Sequence, residues 1–293
     1  MISRELQQKI RQIQITAGKA VSDILAGEYH SVFKGRGMEF DEVRPYQPGD
    51  DVRTIDWNVT ARTGEPHIKR YVEERELTIL FLVDLSASGA FGSAGRLKNE
   101  IAAELCGLLA FAAIRNNDKA GLIAFSDEIE LFIPAKKGSR HALRLVRDIL
   151  HLRPKGRGTD INTVLNYVAR VQNKRAVVFL ISDFRAPDFS KALRATARRH
   201  DVIAISITDP AELTLPKAGL LRLVDNESGR LEVIDTSNSA VRRRFAELAA
   251  QRRQALARFF KKQAIDHIPL LTDDEYVVDL VRFFRARERR RVH

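Results

Sequence analysis

Residues 77–88, LTILFLVDLSAS, constrain this chain more than any other stretch. An unbroken apolar and β-branched run from Leu77 to Val83 stops at Asp84, and serines follow at 86 and 88. Such a run between polar residues predicts a strand buried on both faces. That kind of burial requires a parallel sheet covered by helices, and such sheets bind ligands just beyond the carboxyl ends of their strands. Asp84 falls at that end. If the backbone stays extended past it, Asp84, Ser86 and Ser88 share one side of the chain. A carboxylate and two hydroxyls are hard oxygen donors, suited to Mg2+ or Mn2+.

Two later stretches fit the same site. Residues 156–160, GRGTD, offer Thr159 on a glycine-rich loop ahead of a helix. Residues 176–181, AVVFLI, predict another buried strand, and Ser182-Asp183 at its end supply a second carboxylate. Together Asp84, Ser86, Ser88, Thr159 and Asp183 resemble the metal-ion-dependent adhesion site of von Willebrand factor A domains. In that family an Asp-x-Ser-x-Ser loop, a threonine loop and a later aspartate hold one divalent cation. The resemblance implies these five residues as the metal ligands. Two carboxylates do not over-neutralise a 2+ ion, so an incoming carboxylate from a partner is still attracted.

The rest of the chain alternates between the two periodicities. Helices are predicted over 96–115, 141–150, 161–171 and 189–199, and strands over 120–125, 129–133 (a short edge strand) and 202–207. This alternation predicts a doubly wound α/β domain with a mostly parallel sheet. A β-hairpin follows over 220–224 and 230–234, joined by DNESG, then a basic helix over 239–264. A last strand at 268–271 and a helix over 275–285 close the chain. Ahead of the core, residues 3–25 carry apolar residues at helical spacing. The expected division is an N-terminal helix and signature segment over 1–76, a core over 77–209, and an accessory region over 210–293 packed on that core.

Residues 35–62, GRGMEFDEVRPYQPGDDVRTIDWNVTAR, mix charges of both signs with aromatics. They predict a folded patch knitted by arginine–carboxylate pairs and anchored by Trp57. Arg44, Asp50, Asp51, Arg53, Asp56, Trp57 and Arg62 are its candidate partner-binding residues, unless the patch only braces the metal loop. The pattern G-x-G-x-x-F-D-x-x-R-x-Y-x-P-G-D-D-x-R-x-I-D-W, followed by A-R, resembles the hallmark of the bacterial DUF58 family. The likeness extends to IDHIPLLTDD at 265–274. Members carry a von Willebrand A-like domain directly after the signature, and many begin with two membrane-spanning helices that this sequence does not show. Members typically stand beside MoxR-type AAA+ ATPases. The resemblance therefore implies an adaptor or co-chaperone partnered with such an ATPase, which would reach the metal through an Asp or Glu.

Composition bounds the alternatives. The chain has 293 residues, 44% of them hydrophobic, enough for a sizeable core. Its one cysteine, Cys106, cannot form an internal disulfide, which favours a reducing compartment. No apolar run approaches the roughly 18–20 residues of a membrane span, and the first residues are polar, so a cytoplasmic protein is expected. The net charge of +11 admits a nucleic-acid-binding alternative, through Arg242, Arg243, Arg244, Arg252, Arg253, Lys261, Lys262 and the basic tail. A metal-dependent phosphohydrolase of the haloacid-dehalogenase type would place a second Asp as proton donor where this chain has Ser86. There is no G-x-x-x-x-G-K-[ST] loop, and the seven histidines form no metal-binding pattern. A non-enzymatic binding protein is expected.

Overall fold

The structure is a computed structural model that describes residues 38–73, 76–93, 95–227 and 229–292. The helix predicted over residues 3–25 and the first glycines of the signature lie outside them. The described residues fall into two compact units, one within Phe33–Leu77 and one from Thr78 onward.

In the smaller unit, β1 (Met38–Pro45) pairs antiparallel with β2 (His67–Glu73), with a bulge between Phe40 and Glu42. A 3-10 turn (Val52–Thr54) and α1 (Trp57–Thr63) join them. The signature's carboxylates are largely committed to local folding. Asp51 accepts from the Arg53 amide at 2.9 Å and caps the turn. Asp56 Oδ1 accepts from the amides of Asn58 and Val59 at 3.0 and 3.3 Å and caps α1. Gly64, at φ 79°, ends that helix in the left-handed conformation that suits glycine. Arg44 donates to Asp50 Oδ1 at 2.6 Å, an arginine–carboxylate pair of the expected kind, while Asp56 faces Lys69 at 3.4 Å. Arg53 and Arg62 are exposed, Arg62 in the last turn of α1. Trp57 is not the anchor the sequence suggested. It is 70% exposed, because the capping residue Asp56 turns inward (8% exposed) and starts a short helix whose first side chain faces water.

The larger unit holds the main sheet. In chain order it comprises β3 (Thr78–Asp84), α2 (Lys98–Arg115), β4 (Lys119–Phe125), β5 (Ile129–Lys136), α3 (Ser139–His151), α4 (Ile161–Val171), β6 (Val177–Ser182), α5 (Ser190–Arg199) and β7 (Asp201–Thr208). The hairpin β8 (Leu220–Val224) and β9 (Leu231–Asp235), α6 (Ser239–Lys262), β10 (Asp266–Leu271) and α7 (Tyr276–Val292) follow. The sheet order is β10-β7-β6-β3-β4-β5, all parallel except the edge strand β5. The fold is thus α/β with a mostly parallel sheet. The late region 210–293 contributes a strand to it, since β10 pairs with β7.

The central strands are buried on both faces, as their unbroken apolar runs require. On one face Leu80, Leu82, Ile123, Phe125, Val178 and Leu180 pack against α4, α5 and Phe260 of α6. On the other, Phe81 and Phe179 stack at 5.7 Å. Helix α2, apolar nearly all round, lies against β3, β4 and β7, and Cys106 is fully buried within it. Since a strand's carboxyl end points every following loop the same way, the loops after β3 and β6 meet above the sheet, together with the loop before α4. At the opposite end Arg287 of α7 is buried between Asp201 and Asp266, the first residues of β7 and β10. Among the described residues no helix is long and apolar enough to cross a membrane.

Candidate metal centre

The loop after β3 does not stay extended. Asp84 Oδ1 accepts from the Ser86 amide at 2.9 Å, and this side-chain turn bends the chain into a 3-10 segment, Ala87–Ala90. The bend, rather than strand alternation, brings the Ser86 and Ser88 hydroxyls together at 3.0 Å. Backbone bonds fix the loop in place, from Leu85 N to Phe125 O (2.8 Å) and from Ala87 N to Arg157 O (3.0 Å).

The second bond ties it to the threonine loop, which is itself clamped. Glu130 Oε1 accepts from the amides of Lys155 and Gly156 (both 2.9 Å) and from the Ser126 hydroxyl (2.6 Å). A Cβ at Gly156 would lie 2.3 Å from the hydroxyl oxygen of fully buried Ser126, so glycine is what lets this loop approach the end of β4. Asp160 then caps α4, accepting from Asn162 N at 2.9 Å and from the Thr163 hydroxyl at 2.7 Å. Thr159 is held just ahead of that cap, buried, with its hydroxyl 3.4 Å from Asp84 Oδ2.

From the end of β6, the Ser182 hydroxyl donates to Asp84 Oδ2 at 2.5 Å and accepts from Phe184 N at 2.9 Å. Phe184 sits at φ 58°, a strained backbone for a bulky side chain, and is held there by edge-on packing against Phe260 at 5.0 Å. Asp183 is ion-paired. Its Oδ2 takes Lys98 Nζ at 2.8 Å and its Oδ1 takes the Arg185 amide at 3.1 Å. Lys98 also reaches Glu212 at 3.0 Å, and Glu212 meets Arg185 at 3.0 Å. The result is an alternating chain of charges, Asp183–Lys98–Glu212–Arg185, partly buried.

These surroundings set the electrostatics. Burial pushes the Asp84 carboxyl up to about 6, and Asp183 nearby adds to the push against the Ser182 hydrogen bond. Burial acts on Asp183 too, but the Lys98 ammonium together with Arg185 outweighs it and holds that carboxyl below its usual range. Glu227, on the turn between β8 and β9, accepts from Thr159 Oγ1 at 3.2 Å. Burial and then Asp183 raise its pKa.

Asp84, Ser88, Lys98, Asn99, Ser182 and Asp183 line a cavity of about 20 Å3 together with Ala102, Ile181 and Ile207, while Ser86 and Thr159 stand outside its lining. That is room for one water- or ion-sized occupant, on the order of 10–15 Å3 being the minimum. Asn99 Oδ1 is buried with no hydrogen-bond partner among the described residues. The donor set fits a small hard cation. Neighbouring ligands of an octahedral ion with bonds of 2.0–2.1 Å lie about 3.0 Å apart, which is the Ser86–Ser88 hydroxyl separation. Among the described residues no three His, Cys, Asp or Glu side chains are gathered so as to hold an ion by themselves. An ion here would rely on hydroxyls. Beside the centre, a groove of about 940 Å3 runs between residues 183–189 and α6, walled by Phe184, Phe189, Leu256, Phe259, Arg252 and Arg253.

The structure therefore brings Asp84, Ser86, Ser88 and Thr159 together and places Asp183 on the wall of the cavity beside them, ion-paired with Lys98. Ser182, Lys98, Glu212 and Glu227 were missed as site residues. Ser182 adjoins a predicted ligand. Glu227 leaves no local signal. The seven signature residues named as partner-binding lie in the other unit.

The family described as protein of unknown function DUF58 matches residues 42–255. The uncharacterized protein Rv1480 of Mycobacterium tuberculosis is 33% identical over 288 residues, covering 97% of this chain and 90% of that protein. The uncharacterized protein YeaD of Bacillus subtilis is 28% identical over 107 residues, 36% of this chain and 25% of that protein. Of solved structures, the conserved hypothetical protein BatB from Bacteroides thetaiotaomicron superposes with a TM-score of 0.48 and 16% identity, covering 73% of this chain and 99% of that one. Proximal thread matrix protein 1 from the mussel byssus, with a zinc-occupied MIDAS motif, gives 0.37 and 19%, covering 45% and 38%. Likenesses at these scores add no weight to a metal, which rests on the oxygens of this chain.

Proposed function

The chain belongs to the family of proteins of unknown function DUF58, and from that premise we propose that it is a non-enzymatic module that binds another protein through a divalent cation, Mg2+ or Mn2+. The observation that carries this reading is the convergence of Asp84, Ser86, Ser88 and Thr159 beside an ion-sized cavity. These four hold the ion. Asp183 adds negative charge from the cavity wall, where it is paired with Lys98. The bound ion supplies a Lewis-acidic position that a partner's Asp or Glu carboxylate can take.

The charge around the centre supports the same reading. Asp84, Asp183, Glu212 and Glu227 outnumber Lys98 and Arg185 here, so an added cation is favoured. Ser86 occupies the place where a phosphotransferase would need a carboxyl proton donor, which favours binding over catalysis. The partner proposed is a MoxR-type AAA+ ATPase, for which this chain serves as adaptor or co-chaperone. Its contact surface would include the adjoining groove, whose Arg252 and Arg253 suit an acidic segment.

Titration with Mn2+ tests the metal directly. Asp84→Ala should weaken binding by about 100-fold or more while leaving the circular dichroism spectrum unchanged, since second-shell losses alone cost about 10–100-fold. Equal affinity in both proteins would overturn the site. For the partner, an AAA+ ATPase captured from nuclease-treated lysate by wild type in Mg2+, and lost both in EDTA and with Asp84→Ala, is the expected outcome. Equal capture in all conditions would sink the metal-bridged contact.

A further inference from the structure

We propose that Glu227 is the chain's own carboxylate for the open position of that ion, so that the β8–β9 turn closes the site until a partner's carboxylate displaces it. This rests on the metal reading above. The Thr159 hydroxyl stands between two carboxylates, 3.4 Å from Asp84 Oδ2 and 3.2 Å from Glu227 Oε1. Glu227 therefore already touches a ligand of the proposed ion, from an element 68 residues further along the chain.

Nothing in the hairpin's own folding requires that contact. The base is fixed by Thr236, whose amide and hydroxyl both donate to Gly219 O, at 2.8 and 2.7 Å. The tip is shaped by its own bonds, Asp225 N to Arg230 O at 2.8 Å and Glu227 N to Asp225 Oδ1 at 3.0 Å. Leu220, Val224, Leu231 and Val233 stay exposed, so the hairpin is not pulled down by apolar burial. Yet the Glu227 carboxylate at its tip meets the hydroxyl shared with Asp84. A cation held at that hydroxyl would lie within reach of both carboxylates and draw them together. Glu227 also lines the groove where it opens toward Thr159. A partner segment lying in that groove would reach the centre at the point Glu227 now covers. Its Asp or Glu exchanges one carboxylate for another, and the freed turn swings away with no net change in charge at the ion.

The test uses Mn2+ as the probe on the full chain, with wild type, Glu227→Gln and Asp84→Ala. Affinity is read by electron paramagnetic resonance, and the number of exchangeable waters on the bound ion by water-proton relaxation. Glu227→Gln should bind Mn2+ about tenfold more weakly, since removing a charged ligand lowers affinity, and each bound ion should relax water faster than in wild type. Added acetate should reverse that gain in relaxation in Glu227→Gln and leave wild type unaffected. Glu227→Asp, one methylene shorter, should behave as Glu227→Gln. If wild type and Glu227→Gln match in affinity, relaxation and acetate response while Asp84→Ala loses the ion, the metal reading stands and the role of Glu227 falls. If wild type itself binds no Mn2+, both fall.

Discussion

The two ends of one sheet each gather buried charge, and the two clusters are built differently. At the amino ends of β7 and β10, Arg287, 6% exposed, pairs with Asp201 and with Asp266 at 3.2 Å, and Arg290 reaches Asp266 at 2.9 Å. Two carboxylates face two guanidiniums, and Arg287 meets Asp201 with one terminal nitrogen and Asp266 with the other. At the carboxyl ends, four carboxylates gather about Lys98 and Arg185, and an ion-sized cavity is left beside Asp84. Burying charge is costly unless it is paired. A cluster that closes on itself therefore acts as a clamp, while one with surplus charge and an adjacent ion-sized cavity has room for something else. The difference separates structural from functional polarity within one chain.

Removing the clamp should have the largest effect on stability. Arg287→Ala leaves Asp201 and Asp266 without their buried partner, and loss of one member of such a set typically costs about 3–5 kcal/mol. Denaturant melts should show that loss, and Mn2+ affinity should be unchanged, since the two clusters lie at opposite ends of the strands. A cost below about 1 kcal/mol would mean that the cluster behaves as surface charge and that the two ends do not differ as described.

The open cluster predicts the opposite sign. Asp84 is ionised only at a cost in the metal-free protein, because burial raises its carboxyl from 3.8 to about 6. A raised carboxyl contributes stability fully present below its unfolded value and lost as pH rises through the folded one. Asp84→Asn should thus match wild type near pH 4 in EDTA and become the more stable protein between about pH 4 and 6. Above that the gain should level off at about 2–3 kcal/mol, the free energy of a shift of that size. The same variant should lose Mn2+ binding, so the substitution that stabilises the fold removes the site. Wild type remaining the more stable at pH 7 in EDTA would show that Asp84 is compensated without an ion.

Much of this was legible in the sequence because burial leaves a pattern. The apolar runs ahead of Asp84 and Ser182 fix the central strands, and the parallel sheet they imply puts their ends side by side. Asp160, a capping residue, marks where α4 begins and so where Thr159 must stand. Turn chemistry was harder to see. Alternation from Asp84 through Ser88 suggested an extended loop, whereas the Asp84 carboxylate captures the Ser86 amide and folds it. Trp57 misled for a related reason, since aromatic character suggests burial and says nothing of a cap that turns the indole outward. Lys98, Glu212 and Glu227 join the centre from elements brought in only by tertiary packing, and no local periodicity records such a meeting.

Arg290 gives the smallest expected effect and the closest control. It holds the same carboxylate as Arg287 at a comparable distance, but its side chain is 61% exposed against 8%. Water and salt screen an exposed pair, and fixing a long side chain in one rotamer offsets what attraction remains. Arg290→Ala should therefore change stability by less than about 0.5 kcal/mol, with the remaining effect shrinking as salt is added. Charge, acceptor and pairing chemistry are shared by the two arginines, so the gap between the variants isolates desolvation. A loss on Arg290→Ala as large as on Arg287→Ala would mean that water does not distinguish them. The stability of that end would then come from the network as a whole rather than from one buried guanidinium.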